Sequence, residues 1–337
     1  MKAFFHPAQD LHIPKTYFTR GQMRQPQEVP DRTSQMLEGL KAMGIPVLQP
    51  ADQGAAPISK VHDLGYLRFL ESAHRRWMEN EDWGDEVMSN IFVRSPNAMR
   101  GILAEAACYL ADGSCPIGEN TWKAAYWSAQ TALGAADALI AGERTSYAVC
   151  RPPGHHARKD AAGGFCYLNN AAIAAEHMKS RFPRTVILDT DMHHGQGIQE
   201  IFYDRSDVLY ISIHGDPTNF YPVVSGFEDE RGEGEGYGYN INMPMPHGAS
   251  EDDFFAKVEE ALAAIRLYQP DALILTLGFD IYKNDPQAKV SVTSEGFCRL
   301  STHIRQLGLP TLVVQEGGYD LDTLSENVQQ FFKGLAG

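Results

Sequence analysis

Short apolar runs punctuate the chain at 146–150, 185–188, 208–213, 272–277 and 311–314. Continuous runs of this length, rich in Val, Ile and Leu, predict strands buried on both faces. Between them the pattern becomes amphipathic, which predicts helices over 122–141, 169–180, 251–268 and 295–307. The third of these carries its own start signal. Ser250 is placed to cap, Glu251, Asp252 and Asp253 suit the positive helix end, and Phe254, Val258, Leu262 and Ile265 share a face. Strands alternating with helices predict an α/β fold, a mostly parallel central sheet with helices on both faces.

No repeat and no Pro/Ser linker divides the chain, so residues 1–337 are read as one domain. Two stretches stand apart. Residues 78–119 read as a long connection rich in acids and aromatics (Trp83, Asp85, Glu86, Phe92), and loops of that length are usually functional. Residues 226–240 are glycine-rich and acidic, which predicts a mobile surface loop.

Composition narrows the class. An apolar fraction of 43% and a charged fraction of 21% suit a soluble globular enzyme. No apolar run approaches the roughly 20 residues that span a bilayer, and the start lacks the layout of a secretory signal. A cytoplasmic protein with no membrane partner is expected. Net charge is 29 − 43 = −14, which argues against nucleic acid and is compatible with a small polycation. The five cysteines lack C-x-x-C spacing, so they read as reduced thiols.

In open parallel sheets, ligands bind beyond the carboxyl ends of the strands. All five predicted strands run into chemically loaded residues there. The first leads to Arg151-Pro152-Pro153-Gly154-His155-His156 and the second to Asp189-Thr190-Asp191-Met192-His193. The third leads to Ser212-Ile213-His214-Gly215-Asp216, the fourth to Gly278-Phe279-Asp280, and the fifth to Glu316-Gly317-Gly318-Tyr319. In an extended chain Asp189, Asp191 and His193 share one side, where carboxylate oxygens and an imidazole suit a divalent ion. Asp191, His193 and Asp280 make a three-ligand set with coordination left open, as catalytic zinc requires. One of the tandem histidines behind the stiff Pro-Pro turn is placed to act as general base. Tyr319 is placed to donate its hydroxyl to a developing oxyanion.

Six motifs in order (RPPGHH, GGFCYLNNAA, LDTDMHHGQG, ISIHGDP, LGFD and EGGY) resemble the histone deacetylase family on the arginase-like fold. The resemblance covers most of residues 25–325. Within the family it is most similar to the bacterial amidohydrolases acting on acetylpolyamines, which carry a long insertion where residues 78–119 sit. The resemblance implies one Zn²⁺ per chain on Asp191, His193 and Asp280. It implies His156 as general base, His155 as its electrostatic partner or proton donor, and Tyr319 polarising the acetyl carbonyl. Gly164, Phe165 and Tyr221 match positions lining a narrow acyl tunnel. Asp189 matches the carboxylate behind His155, and Arg32 the arginine of an acetate-release channel. Up to two K⁺ ions are implied, one on Asp189, Asp191, His193, Ser212 and Ile213, the other on Phe202, Arg205, Val208 and Tyr239. The insertion is expected to build a homodimer interface that also walls the substrate entrance.

Gln196 stands where many eukaryotic relatives carry an acid behind the second histidine. A neutral amide stabilises imidazolium poorly, so His156 is expected to stay neutral near pH 7. The implied reaction is zinc-dependent hydrolysis of an N-acetylated polyamine or diamine to acetate and a primary amine. The substrate's distal cation is expected to meet acids at 79–86 and 228–235 around the mouth. Alternatives are a protein acetyl-lysine deacetylase and, from another class, a non-catalytic metal-dependent binding protein. An arginase-like dinuclear manganese site is disfavoured, since only one D-x-D-x-H group is present.

Overall fold

A computed structural model describes residues 1–93 and 98–337. Among these residues the strands run β1 (Lys2–Phe4), β2 (Tyr17–Thr19), β3 (Gln22–Arg24), β4 (Val47–Leu48), β5 (Thr145–Ala148), β6 (Thr185–Asp189), β7 (Val208–Gly215), β8 (Asn240–Met245), β9 (Ala272–Leu277) and β10 (Thr311–Gln315). The α-helices are α1 (Asp31–Ala42), α2 (Leu64–Trp77), α3 (Ile102–Tyr109), α4 (Thr121–Ile140), α5 (Asn170–Met178), α6 (Gln196–Phe202), α7 (Glu251–Tyr268), α8 (Ser294–Gln306) and α9 (Leu324–Ala336). Eight strands form one sheet in the order β4-β1-β5-β10-β9-β6-β7-β8, while β2 and β3 form a separate hairpin. Every pairing in the large sheet is parallel.

The five apolar runs are the five adjacent strands β5, β10, β9, β6 and β7. Alternate residues along them enter opposite cores. Ile187, Ile274, Leu312 and Val314 face the side packed by α2, α4 and α5, through residues such as Phe69, Leu133 and Ile173. Val186, Leu188, Leu273, Leu275 and Val313 face the side packed by α1, α7, α8 and α9, through Met36, Phe254, Phe297 and Val328. Burial on both sides makes these strands continuously apolar in sequence. Their ends are nearly flush, with Asp189 beside both Ser212 and Thr276 and Gln315 beside Leu277. Five loaded turns therefore leave the sheet at one edge.

The 78–119 stretch is more than a link between elements. It contains α3, whose Ile102, Ala106 and Ala107 are buried, and Val87 bridges Ile117. The 226–240 stretch is tied down. Glu230 accepts from Gly226 N at 2.8 Å and Gln199 Nε2 at 2.9 Å, and Asn240 already opens β8. Glu230 and Asn240 thus anchor it, while Glu228, Asp229, Glu233 and Glu235 stay exposed.

The loop between β5 and α5 carries the tandem histidines, and His62 helps to hold it. Its Nδ1–H donates to Lys159 O at 3.3 Å and its Nε2 accepts from Asn169 N at 2.9 Å. Both bonds need a neutral ring. Burial lowers His12, His62 and His214 from 6.5 to about 4. Between those values the unfolded chain binds protons that the folded chain refuses, so stability falls as pH drops through 6.5 and levels off near 4. Each ring contributes up to about 3 kcal/mol to that slope. Urea midpoints between pH 7 and 4.5 should therefore fall, and less steeply in His62→Gln; equal slopes would show that His62 is not the buried neutral ring described.

Candidate active site and metal centre

Only the first member of the D-x-D-x-H group lies in regular strand. Beyond Asp189 the chain turns, because Asp191 N donates to Asp189 Oδ1 at 3.2 Å and His193 N to Asp191 Oδ1 at 2.9 Å. The turn separates the two acids. Asp189 Oδ2 faces His155 Nδ1 at 3.0 Å and Tyr210 OH at 2.9 Å, while Asp191 and His193 face Asp280.

Possible ligand atoms of Asp191, His193 and Asp280 all lie within 4.8 Å of one another. His193 Nδ1 is 3.3 Å from Asp191 Oδ1 and 3.2 Å from Asp280 Oδ2. Asp280 Oδ1 accepts from Met192 N at 3.0 Å, but Oδ2 is buried without a hydrogen-bond partner. Burial and the neighbouring Asp191 charge push the Asp280 carboxyl upward, the expected strain of two buried carboxylates side by side. A Cβ at Gly317 would sit 2.5 Å from Asp191 Oδ2 and 2.6 Å from Asp280 Oδ2, so only glycine leaves this cradle open. The donor set, the orphaned oxygen and the open cradle fit Zn²⁺.

A second group, His155, Cys166 and Glu316, also lies within ligand distance. It fits a metal poorly. Burial pushes the Cys166 thiol far up, so it holds its proton. Burial opposes protonation of His155, but the charges of Asp191, Asp189 and Glu316 outweigh it and lift the ring to about 10. Glu316 Oε2 already accepts from Gly154 N at 2.6 Å and His155 N at 3.0 Å, fixing the turn that presents both histidines. Glu316 opens the EGGY motif, but nothing local in the sequence marks its partners, which lie more than 160 positions away.

The two histidines differ in charge. Burial, with the charges of His155 and His193, holds His156 well below 6.5. Its Nδ1 donates to Gln196 Oε1 at 2.6 Å. The ring lines a cavity of about 190 Å³ with His193, Gly164, Phe165, Phe220, Tyr221 and Tyr319. Gly164 has φ +54°, and a side chain there would strike the His156 ring. Burial keeps the Tyr319 phenol protonated, so it can donate.

Arg32 lies outside the residues lining this cavity, packed against the Tyr319 ring at 4.9 Å. Its guanidinium donates to Gly318 O and Glu316 O, both at 2.6 Å, and to Glu28 at 2.9 Å. Glu28 also pairs with Arg151 at 2.9 Å. Both arginines were marked in the sequence, Arg151 by RPPGHH and Arg32 by resemblance, but Glu28, which joins them, lies in no motif. Ser212 and Ile213 lie on β7 beside Asp189. Phe202, Arg205, Val208 and Tyr239 lie around the α6–β7 turn, where Arg205 N donates to Phe202 O at 3.1 Å and Tyr239 O accepts from Tyr210 N at 2.9 Å.

The expectation of an acidic mouth is corrected. Arg20, Arg24 and Lys289 line the cavity, with no carboxylate among its described lining residues. Asp85 and Glu86 are engaged with Lys15 instead. Glu230 and Glu233 line a different cavity, with Arg158 and Glu200.

A histone deacetylase domain matches residues 26–335. The chain is 64% identical over 336 residues to an acetylpolyamine amidohydrolase from Burkholderia pseudomallei, covering 99% of this chain and 98% of the relative. It is 36% identical over 341 residues to an acetylpolyamine amidohydrolase from Mycoplana ramosa, covering both completely. A crystal structure of acetylpolyamine aminohydrolase from Burkholderia pseudomallei superposes with TM-score 0.99 at 63% identity, over 100% of this chain and 99% of that one. The HDA15 HD domain gives TM-score 0.81 at 28% identity, over 99% and 88% of the two chains. With its motifs gathered on one sheet edge and the likeness running its full length, the chain belongs to the histone deacetylase family.

Proposed function

We propose that this protein is a zinc-dependent amidohydrolase that removes acetyl groups from N-acetylated polyamines and diamines, releasing acetate and a primary amine. The observation that carries the reading is the orphaned Asp280 oxygen beside Asp191 and His193, at a narrow cavity walled by Phe165, Phe220 and Tyr221. Full-length relatives named acetylpolyamine amidohydrolases support the substrate class.

Asp191, His193 and Asp280 would hold Zn²⁺, which supplies Lewis acidity toward the acetyl carbonyl and the attacking water. The aromatic walls bind and orient the methylene chain. Neutral His156 accepts the proton of the attacking water, and Tyr319 donates its hydroxyl to the oxygen that gains charge. His155, kept cationic by Asp189 and Asp191, favours negative charge in the transition state. His156 then returns the proton to the departing amine. Main-chain oxygens near Asp189, Ser212 and Ile213, and near Phe202, Arg205, Val208 and Tyr239, suit two structural K⁺ ions, with Asp191 and His193 completing the first site. The five free thiols suit a cytoplasmic enzyme. The acidity of the chain speaks against nucleic acid as partner.

The cationic rim favours a second reading, acetyl-lysine in peptides, whose distal end is an uncharged backbone. The first reading accommodates the cationic rim if a second copy supplies the acids that one mouth lacks. The insertion and the β2–β3 hairpin support such a homodimer. Phe18, Met23, Trp77, Trp83, Phe92 and Leu103 line an open apolar hollow of about 600 Å³. Phe92 is 78% exposed, a large apolar residue left for a partner.

Three outcomes test these readings. Purified enzyme should hold about one Zn²⁺ per chain, and Tyr319→Phe should cut kcat by roughly 10²–10³ with the fold intact. Full activity without a transition metal, or near wild-type turnover of the variant, would sink the mechanism. Acetylputrescine, acetylcadaverine and acetylspermidine should outperform an acetyl-lysine peptide, and Arg24→Gln should raise kcat/KM for the cationic substrates about threefold at low salt. Preference for the peptide, with no response to Arg24→Gln, would favour the second reading. Sedimentation should show a dimer that Phe92→Glu converts to monomer; a wild-type monomer would refute the interface.

A further inference from the structure

Asp112 lies in the last part of the 78–119 insertion, far in sequence from any of the six motifs. Its neighbours fix it in place, since Ala111 N donates to Ala162 O at 2.8 Å and Ala162 N to Tyr109 O at 2.9 Å. Four donors converge on its two oxygens. Oδ1 accepts from Ser114 N at 2.8 Å and from the Ser114 hydroxyl. Oδ2 accepts from Gly164 N at 3.2 Å and from Tyr221 OH at 2.7 Å. A group surrounded in this way acts as acceptor only.

The directions of the next bonds then follow. The single Tyr221 hydroxyl proton is committed to Asp112, so its oxygen accepts from Gln196 Nε2 at 3.1 Å. With the amide nitrogen turned to Tyr221, the amide oxygen faces His156 Nδ1 at 2.6 Å. An amide oxygen cannot donate, so the proton lies on Nδ1 and Nε2 keeps its lone pair. Burial and the Asp112 charge push the Tyr221 phenol far up, which keeps its proton in place.

We propose that Asp112 is a positioning residue which, through Tyr221 and Gln196, holds His156 in the tautomer whose Nε2 is free to accept a proton. The inference rests on the reading of His156 as general base. A carboxylate at 196 would need no such reference, because both of its oxygens accept. An amide has two faces. Turned over, it presents NH₂ to Nδ1 and selects the opposite tautomer, whose Nε2 is blocked. The neutral Gln196 therefore requires a fixed polarity from elsewhere, and the insertion supplies it. His155 is oriented separately, by Asp189.

Spectra of ¹⁵N-histidine-labelled, zinc-loaded enzyme report which ring nitrogen carries the proton, with the His156 signal assigned by its loss in His156→Gln. Wild-type His156 should be protonated on Nδ1. Asp112→Ala and Tyr221→Phe should each move protons to Nε2. Asp112 lies outside the residues lining the cavity, so Asp112→Ala should lower kcat by about 10- to 10³-fold with KM changed less than about threefold. Adding Gln196→Glu to Asp112→Ala should restore the Nδ1 proton and recover kcat. Protonation of wild-type Nε2, an unchanged tautomer in Asp112→Ala, or failure of Gln196→Glu to restore it would overturn the proposal. If the tautomer responds as stated in a protein that hydrolyses no acetamide, the relay stands and the functional reading falls.

Discussion

Four carboxylates, Asp189, Asp191, Asp280 and Glu316, are buried at one edge of the parallel sheet, each 1% exposed or less. Charge removed from water must find partners or it destabilises the fold. The surrounding chain is organised to supply them. The N–H groups of Gly154 and His155 turn to Glu316, that of Met192 to Asp280, and those of His193 and Gly317 to Asp191. Such close backbone approach excludes a side chain at 317, where a Cβ would overlap two carboxylates. Asp280 Oδ2 and Glu316 Oε1 still lack partners. The edge is an acid-rich cage, and its open Asp280 oxygen beside Asp191 and His193 fits a divalent cation.

The same acids divide the tandem histidines. His155 and His156 stack with ring centroids 3.8 Å apart, too close for both to be charged. His155 points at Asp189 and lies 3.6 Å from Asp191, so it takes the charge. His156 meets the neutral Gln196 amide, and the neighbouring cation holds it neutral. One residue step in sequence thus separates a positive charge from a neutral ring, and the difference comes from what each ring faces.

What could be read in the sequence was set by burial and by local pattern. The five central strands were legible because both faces are covered, which leaves continuous apolar runs. The Asp191, His193, Asp280, His155, His156 and Tyr319 constellation was legible because each residue follows one of those runs directly. Edge strands were not. β8 reads as polar because Asn240 and Asn242 turn their amides inward to Gln199, and Pro244 is tolerated where a strand has one neighbour. β1 and β4 are too short to carry a period. Long-range polar pairs leave no trace at all. Glu28 meets Arg151, and Asp112 meets Tyr221 109 positions away, with no motif joining them.

The charge at the mouth shows where composition misleads. A net −14 predicts attraction of polycations at long range, yet the lining of the cavity includes Arg20, Arg24 and Lys289. At physiological ionic strength, exposed charges farther than about 8 Å are largely screened, so local cations outweigh the average. Arg20 and Arg24 sit on the β2–β3 hairpin, and Phe18 and Met23 of that hairpin line the apolar hollow beside the insertion. Whatever covers that hollow lies next to the rim. A second copy docked there would change the field at the entrance without touching the catalytic edge. The buried polar groups of the sheet edge and the exposed cations of the rim thus lie in different parts of the molecule, so the charge at the rim can change while the edge keeps its own internal partners.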